Sequence, residues 1–350
     1  MRVVRNPARA TPAAVGGPAP AQAFHAGLPG YAATPLREAP ALARAWGVGR
    51  VVLKDETARL GLPAFKVLGA TWAAHRAVAE AGGDVTLITA TDGNHGRALA
   101  RTGRLLGVPV EVLVPAGTAP ARIAAIREEG AAVEVVDGDY DAAVAEAAAR
   151  AAVRTGGRRV LVQDTAWPGY ERVPGWVVEG YETLWAELAD QLGAAPDLVL
   201  LPVGVGSLAA AAVRRLGGGP VLVSVEPEGA ACLLASLAAG DPVSVPGPHP
   251  SIMAGLNCGT VSSAAWPLLR DAIALAVEVP DAAAADGMRT LRGLGIAAGE
   301  CAGGVVGAAA ALLTGPHRPG LPDGATVVLP LTEGVTDPAA YERLVSAPPR

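Results

Sequence analysis

The sequence predicts an α/β protein with two mainly parallel sheets flanked by helices and a ligand held between them. Three observations lead there. Short apolar runs bounded by Gly, Pro and Asp alternate with helix-length stretches along almost the whole chain. The runs fall into two series joined by one long helix, which suggests two sheets rather than one. The 350 residues are 51% hydrophobic but only 4% aromatic, enough for a large core built from Ala, Val and Leu.

Taken in order, an Ala/Pro-rich head reads as flexible, and Val51-Val52-Leu53-Lys54 as strand. A helix is entered near Lys66. Val85 to Ile88 predicts a strand, followed by a helix over Asn94 to Leu106. Val110 to Val114 is the next strand, with a helix over Ala119 to Glu129. Ala132 to Val136, a helix from Tyr140 to about Arg154, and a strand over Val160 to Val162 complete the first series. A loop through Gln163-Asp164-Thr165-Ala166-Trp167 leads into a helix ending near Leu192. The second series has strands at Leu198–Leu201, Val221–Val225, Ala276–Val279 and Thr326–Leu329. Such runs, apolar throughout, suit strands buried on both faces, and repeated βαβ units imply parallel pairing.

Composition excludes several classes. A net charge of −5 with no Lys/Arg stripe argues against nucleic acid as a partner. Cys232, Cys258 and Cys301 lack C-x-x-C spacing, so no zinc or other metal site is expected. Cys232 and Cys258 could pair, but reduced thiols are the expectation. The head has no apolar core of a secretory signal, and the run from Cys301 to Leu313 is too short and glycine-rich to span a bilayer. A cytoplasmic protein acting on a small molecule is the expectation, without a membrane partner.

Four segments carry chemistry. Lys66 sits between Phe65 and Val67-Leu68, where apolar neighbours would disfavour the ammonium and make a usable amine nucleophile; a surface lysine snorkelling to water is the plainer reading. Thr91-Asp92-Gly93-Asn94-His95-Gly96 falls where a strand turns into a helix, the address at which open α/β sheets collect ligands, although an Asn cap with a turn glycine explains it equally well. Gly204-Val205-Gly206-Ser207 opens a helix, and its successive N–H groups could cradle a phosphate; tight turns use glycine for other reasons too. Thr332 ends the last strand and could meet a pyridine nitrogen. An amine, an Asn-His turn and a glycine cradle together describe a pyridoxal phosphate site, which none does alone.

With those residues in view, the chain resembles the fold-type II pyridoxal phosphate enzymes of the tryptophan synthase β group, and within them the diaminopropionate ammonia-lyase family. The matching stretches include Leu28-Pro29-Gly30-Tyr31, Lys54-Asp55-Glu56, Phe65-Lys66-Val67-Leu68-Gly69, Thr91 to Arg97, Gln163 to Trp167, Ile252 to Leu256 and Thr332-Glu333-Gly334. The Asp-Gly-Asn-His-Gly turn and the Gln-Asp-Thr-Ala-Trp loop are the specific ones. The resemblance implies two domains with the cofactor between them, a large one from 1–70 and 185–350 and a small one from 71–184, and a homodimer.

It also implies roles. Lys66 would carry the cofactor, Asn94 would meet its phenolic oxygen, Gly204, Val205, Gly206 and Ser207 would hold its phosphate, and Thr332 would face its ring nitrogen. Asp92 and Asp164 would be the acidic pair in the substrate pocket. The implied reaction is α,β-elimination of 2,3-diaminopropionate, of either hand, to pyruvate and ammonia. Lys66 or Asp92 would take the Cα proton according to that hand. A serine/threonine dehydratase or a β-replacement enzyme of the cysteine synthase kind is the alternative, and a catalytically silent scaffold a more distant one.

Overall fold

The computed structural model describes residues 1–346 except 11–13, 15–17, 92 and 154–157. In chain order the strands are β1 (Arg2–Arg5), β2 (Leu36–Glu38), β3 (Arg50–Asp55), β4 (Val85–Ala90), β5 (Val110–Pro115), β6 (Ala132–Val136), β7 (Arg158–Leu161), β8 (Leu198–Pro202), β9 (Val221–Pro227), β10 (Ile273–Val279) and β11 (Thr326–Leu331). They form two sheets, as expected. The larger has the order β1-β10-β9-β8-β11-β3-β2 and the smaller β6-β5-β4-β7. Pairing is parallel throughout the smaller sheet and the middle of the larger one. Only the two outer strands of the larger sheet, β1 on β10 and β2 on β3, run antiparallel.

Alternation of side chains across the pleat decides where each strand residue goes. On β11, Val327 and Leu329 join one apolar layer with the helices Asp281–Gly293 and Glu300–Thr314, while Val328 joins the other. That second layer holds the helices Lys66–Ala81, Arg172–Leu192 and Ser207–Leu216, and it reaches the smaller sheet through Leu87, Val110, Val112 and Val114. One continuous core therefore lies between the sheets, and the site is built on it.

Two helices of that layer cross closely because of two glycines. A Cβ on Gly180 would stand 2.6 Å from the Leu68 carbonyl oxygen, and one on Gly69 would stand 2.5 Å from the Tyr181 ring. Neither position has room for a side chain. His25 locks the crossing from a third side: its Nε2–H donates to Leu68 O at 2.9 Å, and its Nδ1 accepts from Thr183 Oγ1 at 2.8 Å. The start of the lysine helix is thus fixed from behind.

The head departs from expectation. It contains β1, and Asn6 continues the attachment by donating to the carbonyls of Arg270 and Ile273. β2 was not foreseen either. Both strands are short and carry charges (Arg2 and Arg5; Arg37 and Glu38), the usual dress of an edge, so neither shows an apolar run. β7 starts at Arg158, earlier than the apolar residues suggest, because backbone pairing with β4 extends past them. The helix from Tyr140 runs to Ala152, and its expected end at Arg154 lies outside the described residues. Among the described residues no disulfide joins Cys232, Cys258 or Cys301. Among the described residues no helix is long and apolar enough to cross a membrane.

Candidate active site

Five parallel strands deliver the site. The loop after β3 leads to Lys66, the turn after β4 to Asn94, β7 to Gln163-Asp164, β8 to Gly204–Ser207 and β11 to Thr332-Glu333. All leave from carboxyl ends, so they converge at one edge of the sheets. They surround a cavity lined by Lys66, Asn94, Asp164, Gly204, Val205, Gly206, Ser207 and Thr332. Every site residue singled out from the sequence is therefore in one place except Asp92, which lies outside the described residues.

Lys66 is the first residue of its helix, and Phe65 before it offers no side-chain cap. A cation there opposes the helix dipole, at a cost of about 0.3–1 kcal/mol. Asp164 offsets this, accepting from Lys66 Nζ at 2.5 Å. The apolar neighbours Val67 and Leu68 are turned into the core, and the amine itself faces a carboxylate, with the Phe65 ring centroid 5.6 Å away.

Asp164 is held by its neighbour in sequence. Gln163 accepts from Thr89 Oγ1 and Ala90 N and donates to Ala90 O, which clamps the loop onto the end of β4. Burial would push the Asp164 carboxyl up, but the Lys66 ammonium and His95 outweigh it and bring it to about 2. His95 itself is oriented by donating Nε2–H to Val162 O at 2.8 Å, which leaves Nδ1 3.9 Å from Asp164.

The glycine turn after β8 has the form of an anion cradle. Gly206 has φ +98°, a left-handed conformation that favours glycine, and a Cβ on Gly204 would press within 3.1 Å of Cys258 Sγ. The first backbone N–H of this helix to bond within it is that of Ala210, to Gly206 O; the earlier ones lie at the positive end of the helix. The Ser207 hydroxyl is engaged elsewhere, donating to the Asp164 carbonyl at 2.7 Å. This bond ties the cradle to the acidic loop.

Thr332 donates to Glu333 Oε2 at 2.6 Å, while Glu333 Oε1 accepts from the N–H groups of Cys301 and Ala302. Glu333 is thus the cap of the helix Glu300–Thr314, supplied from another strand. Asn94, expected as a possible cap, is instead the first helical residue after Gly93, and its side chain lines the cavity. The donor set suits pyridoxal phosphate: an amine, an amide side chain, a run of helix N-terminal N–H groups and a strand-end hydroxyl. Two buried wall atoms, Tyr181 Oη and Asn257 Oδ1, have no hydrogen-bond partner among the described residues, as befits a wall made for a polar ligand.

Sequence reasoning gave no role to His95, Glu333, Cys301, Asn257 or Tyr181. The first two adjoin residues that were singled out, and that adjacency was the available signal. Tyr181 lies mid-helix between Glu179 and Glu182, where only the neighbouring Gly180 hinted at a close approach.

Residues 28–333 match the family described as "Pyridoxal-phosphate dependent enzyme". The diaminopropionate ammonia-lyase of Salmonella typhimurium is 36% identical, over 92% of this chain and 90% of that one. The enzyme of that name from Escherichia coli K12 is 35% identical, over 93% and 90%. Among solved structures, E. coli diaminopropionate ammonia lyase in complex with D-serine superposes with a TM-score of 0.91 at 32% identity, covering 98% of this chain and 96% of that one. The same enzyme in complex with an aminoacrylate–PLP azomethine reaction intermediate gives 0.89 at 33% identity, with the same coverage.

Proposed function

The chain belongs to the pyridoxal-phosphate dependent enzymes, and from that premise we propose that it is an ammonia-lyase for 2,3-diaminopropionate. The overall reaction consumes one water and gives pyruvate and two ammonia. The observation that carries this reading is the carboxylate facing the amine, Asp164 against Lys66 at 2.5 Å inside the cavity. A substrate with a second amine brings a second cation, and a buried carboxylate both receives it and, once protonated, can return a proton to the leaving amine. The named relatives, alike over nine-tenths of both chains, support the same substrate.

When bound, pyridoxal phosphate supplies the electron sink that makes a Cα proton removable and lets a β-substituent leave. The rest falls to this chain. Lys66 would hold the cofactor covalently, and its amine would take the Cα proton. Asp92, placed by its sequence in the turn after β4, is the proposed base for the opposite hand. Asp164 loses its strongest counter-ion whenever Lys66 gives up its charge, and burial then raises its proton affinity. It thereby becomes an acid able to protonate the departing β-amine. Asn94 meets the phenolic oxygen, and Gly204 to Ser207 hold the phosphate through backbone N–H groups. Thr332 faces the ring nitrogen; to donate to it the hydroxyl turns from Glu333, whose carboxylate keeps its two backbone donors.

We further propose a cytoplasmic homodimer, with residues 71–184, which carry β4 to β7, as the small domain and 1–70 with 185–350 as the large one. The test of function is ammonia and pyruvate release from D- and L-diaminopropionate beside D- and L-serine. Rapid release of two ammonia per pyruvate from diaminopropionate is expected. Turnover of serine alone would move the assignment to a dehydratase on the same fold.

A further inference from the structure

The Tyr181 side chain is completely buried, lines the cavity beside Lys66, and has no hydrogen-bond partner for its hydroxyl among the described residues. Buried phenols ordinarily find a partner, because an unpaired one carries its full desolvation penalty. The fold nevertheless takes trouble to place this ring. Gly69, one turn after Lys66 and on the same helix face, leaves the space it fills; a Cβ there would stand 2.5 and 2.8 Å from two of its ring atoms. Phe65, just before Lys66, packs against it with ring centroids 4.7 Å apart. The residues on both sides of Lys66 therefore shape the seat of the phenol.

Burial pushes this phenol up, with the Lys66 ammonium pulling it back only in part, so it keeps its proton and acts as a donor. It needs an acceptor. The Lys66 ammonium cannot be one, and Asp164 is already bound to that ammonium. The acceptor must be something that enters the cavity.

We infer that Tyr181 is a positioning residue whose hydroxyl donates a hydrogen bond to the cofactor, holding it against Lys66; this rests on the pyridoxal phosphate reading above. The ligand recognised is rich in acceptors, with phosphate oxygens and a phenolic oxygen. Tyr181 then supplies a side-chain donor that the glycine cradle lacks, since Ser207 is engaged with Asp164 O.

The test compares Tyr181→Phe with wild type, each freed of cofactor and titrated with pyridoxal phosphate, following the visible band and thermal unfolding. Tyr31→Phe is the control, because Tyr31 donates to Glu187 at 2.8 Å, away from the cavity. Without cofactor, Tyr181→Phe is expected to melt at or above the wild-type temperature, since it loses only an unpaired group. Its Kd for pyridoxal phosphate should rise about tenfold, the effect of one hydrogen bond to a polar or charged atom. Its stabilisation by cofactor should shrink accordingly. Tyr31→Phe should melt lower in both forms and keep the wild-type Kd. An unchanged Kd in Tyr181→Phe overturns the inference, and an unchanged Kd with a raised KM reassigns the hydroxyl to the amino-acid substrate. If wild type binds no cofactor, the functional reading falls and this one with it; if wild type binds and the variant binds equally, only this one falls.

Discussion

Lys54 and Lys66 lie one short loop apart, and both point inward, yet they are opposite kinds of buried lysine. Lys54 is fully buried, and its ammonium donates to Thr34 O, Glu187 Oε2 and Gln191 Oε1, each at 2.9 Å. Beside it Arg59 bonds to Glu56 and Glu187, so two cations face two carboxylates with every strong donor engaged. Burial lowers the Lys54 ammonium and the two carboxylates oppose that. Lys66 is a fifth exposed on the cavity side and meets Asp164 there. A closed, neutral network has nothing left with which to do chemistry. A pair at the edge of a cavity can exchange its proton or its partner.

Lys66→Ala should remove the visible cofactor band and lower turnover by ~10³-fold or more, as loss of a covalent catalytic group does. A variant that kept both band and turnover would end the assignment. Lys54→Met should do the reverse. It leaves Glu56 and Glu187 with Arg59 as their one cation in the interior, and breaking one partner of a buried ion pair costs about 3–5 kcal/mol. Denaturant unfolding should show that loss, while turnover per folded molecule stays close to wild type. If Lys54→Met instead unfolds like wild type, the network is not what joins the β3 loop to the helix Arg172–Leu192.

Sequence distinguished these lysines only partly, and the reason is physical. Local order announced the parallel strands, because a strand buried on both faces must be apolar along its length; β8 and β11 could hardly read otherwise. The glycine turn and the Asn94 turn were legible for the same reason, since each has a backbone shape few residues tolerate. Local order does not say which way a side chain turns. Phe65-Lys66-Val67 suggested an amine among apolar groups, and only the meeting of the β3 and β7 loops set Asp164 against it. Glu333 as a cap for a helix some thirty residues earlier, and Tyr181 beneath Lys66, are likewise products of tertiary contact. The edge strands β1 and β2 were missed because their pairing is made by backbone, which every sequence has.

The helix that begins at Lys66 is held from the cavity by Asp164 and from behind by His25, and these two titrate in different windows. His25 is lowered from 6.5 to about 4, chiefly by burial. A depressed folded value means that the unfolded chain binds the proton more readily. The stability from neutral His25 is therefore complete above pH 6.5 and lost as pH falls towards 4, by no more than about 3 kcal/mol. Asp164, lowered to about 2, loses its contribution only below the ordinary carboxylate range. Glu226, raised to about 8 by burial, acts in the opposite direction and weakens the fold as pH rises from 4.5. The informative quantity is thus the difference between wild type and His25→Gln in urea midpoint at pH 7.5, 5.5 and 4.5. Wild type should be the more stable at pH 7.5, and the gap should close by pH 4.5. A gap that stays constant would mean that His25 holds the Leu68 carbonyl equally well when charged, and the rear anchor of the lysine helix would be insensitive to acid.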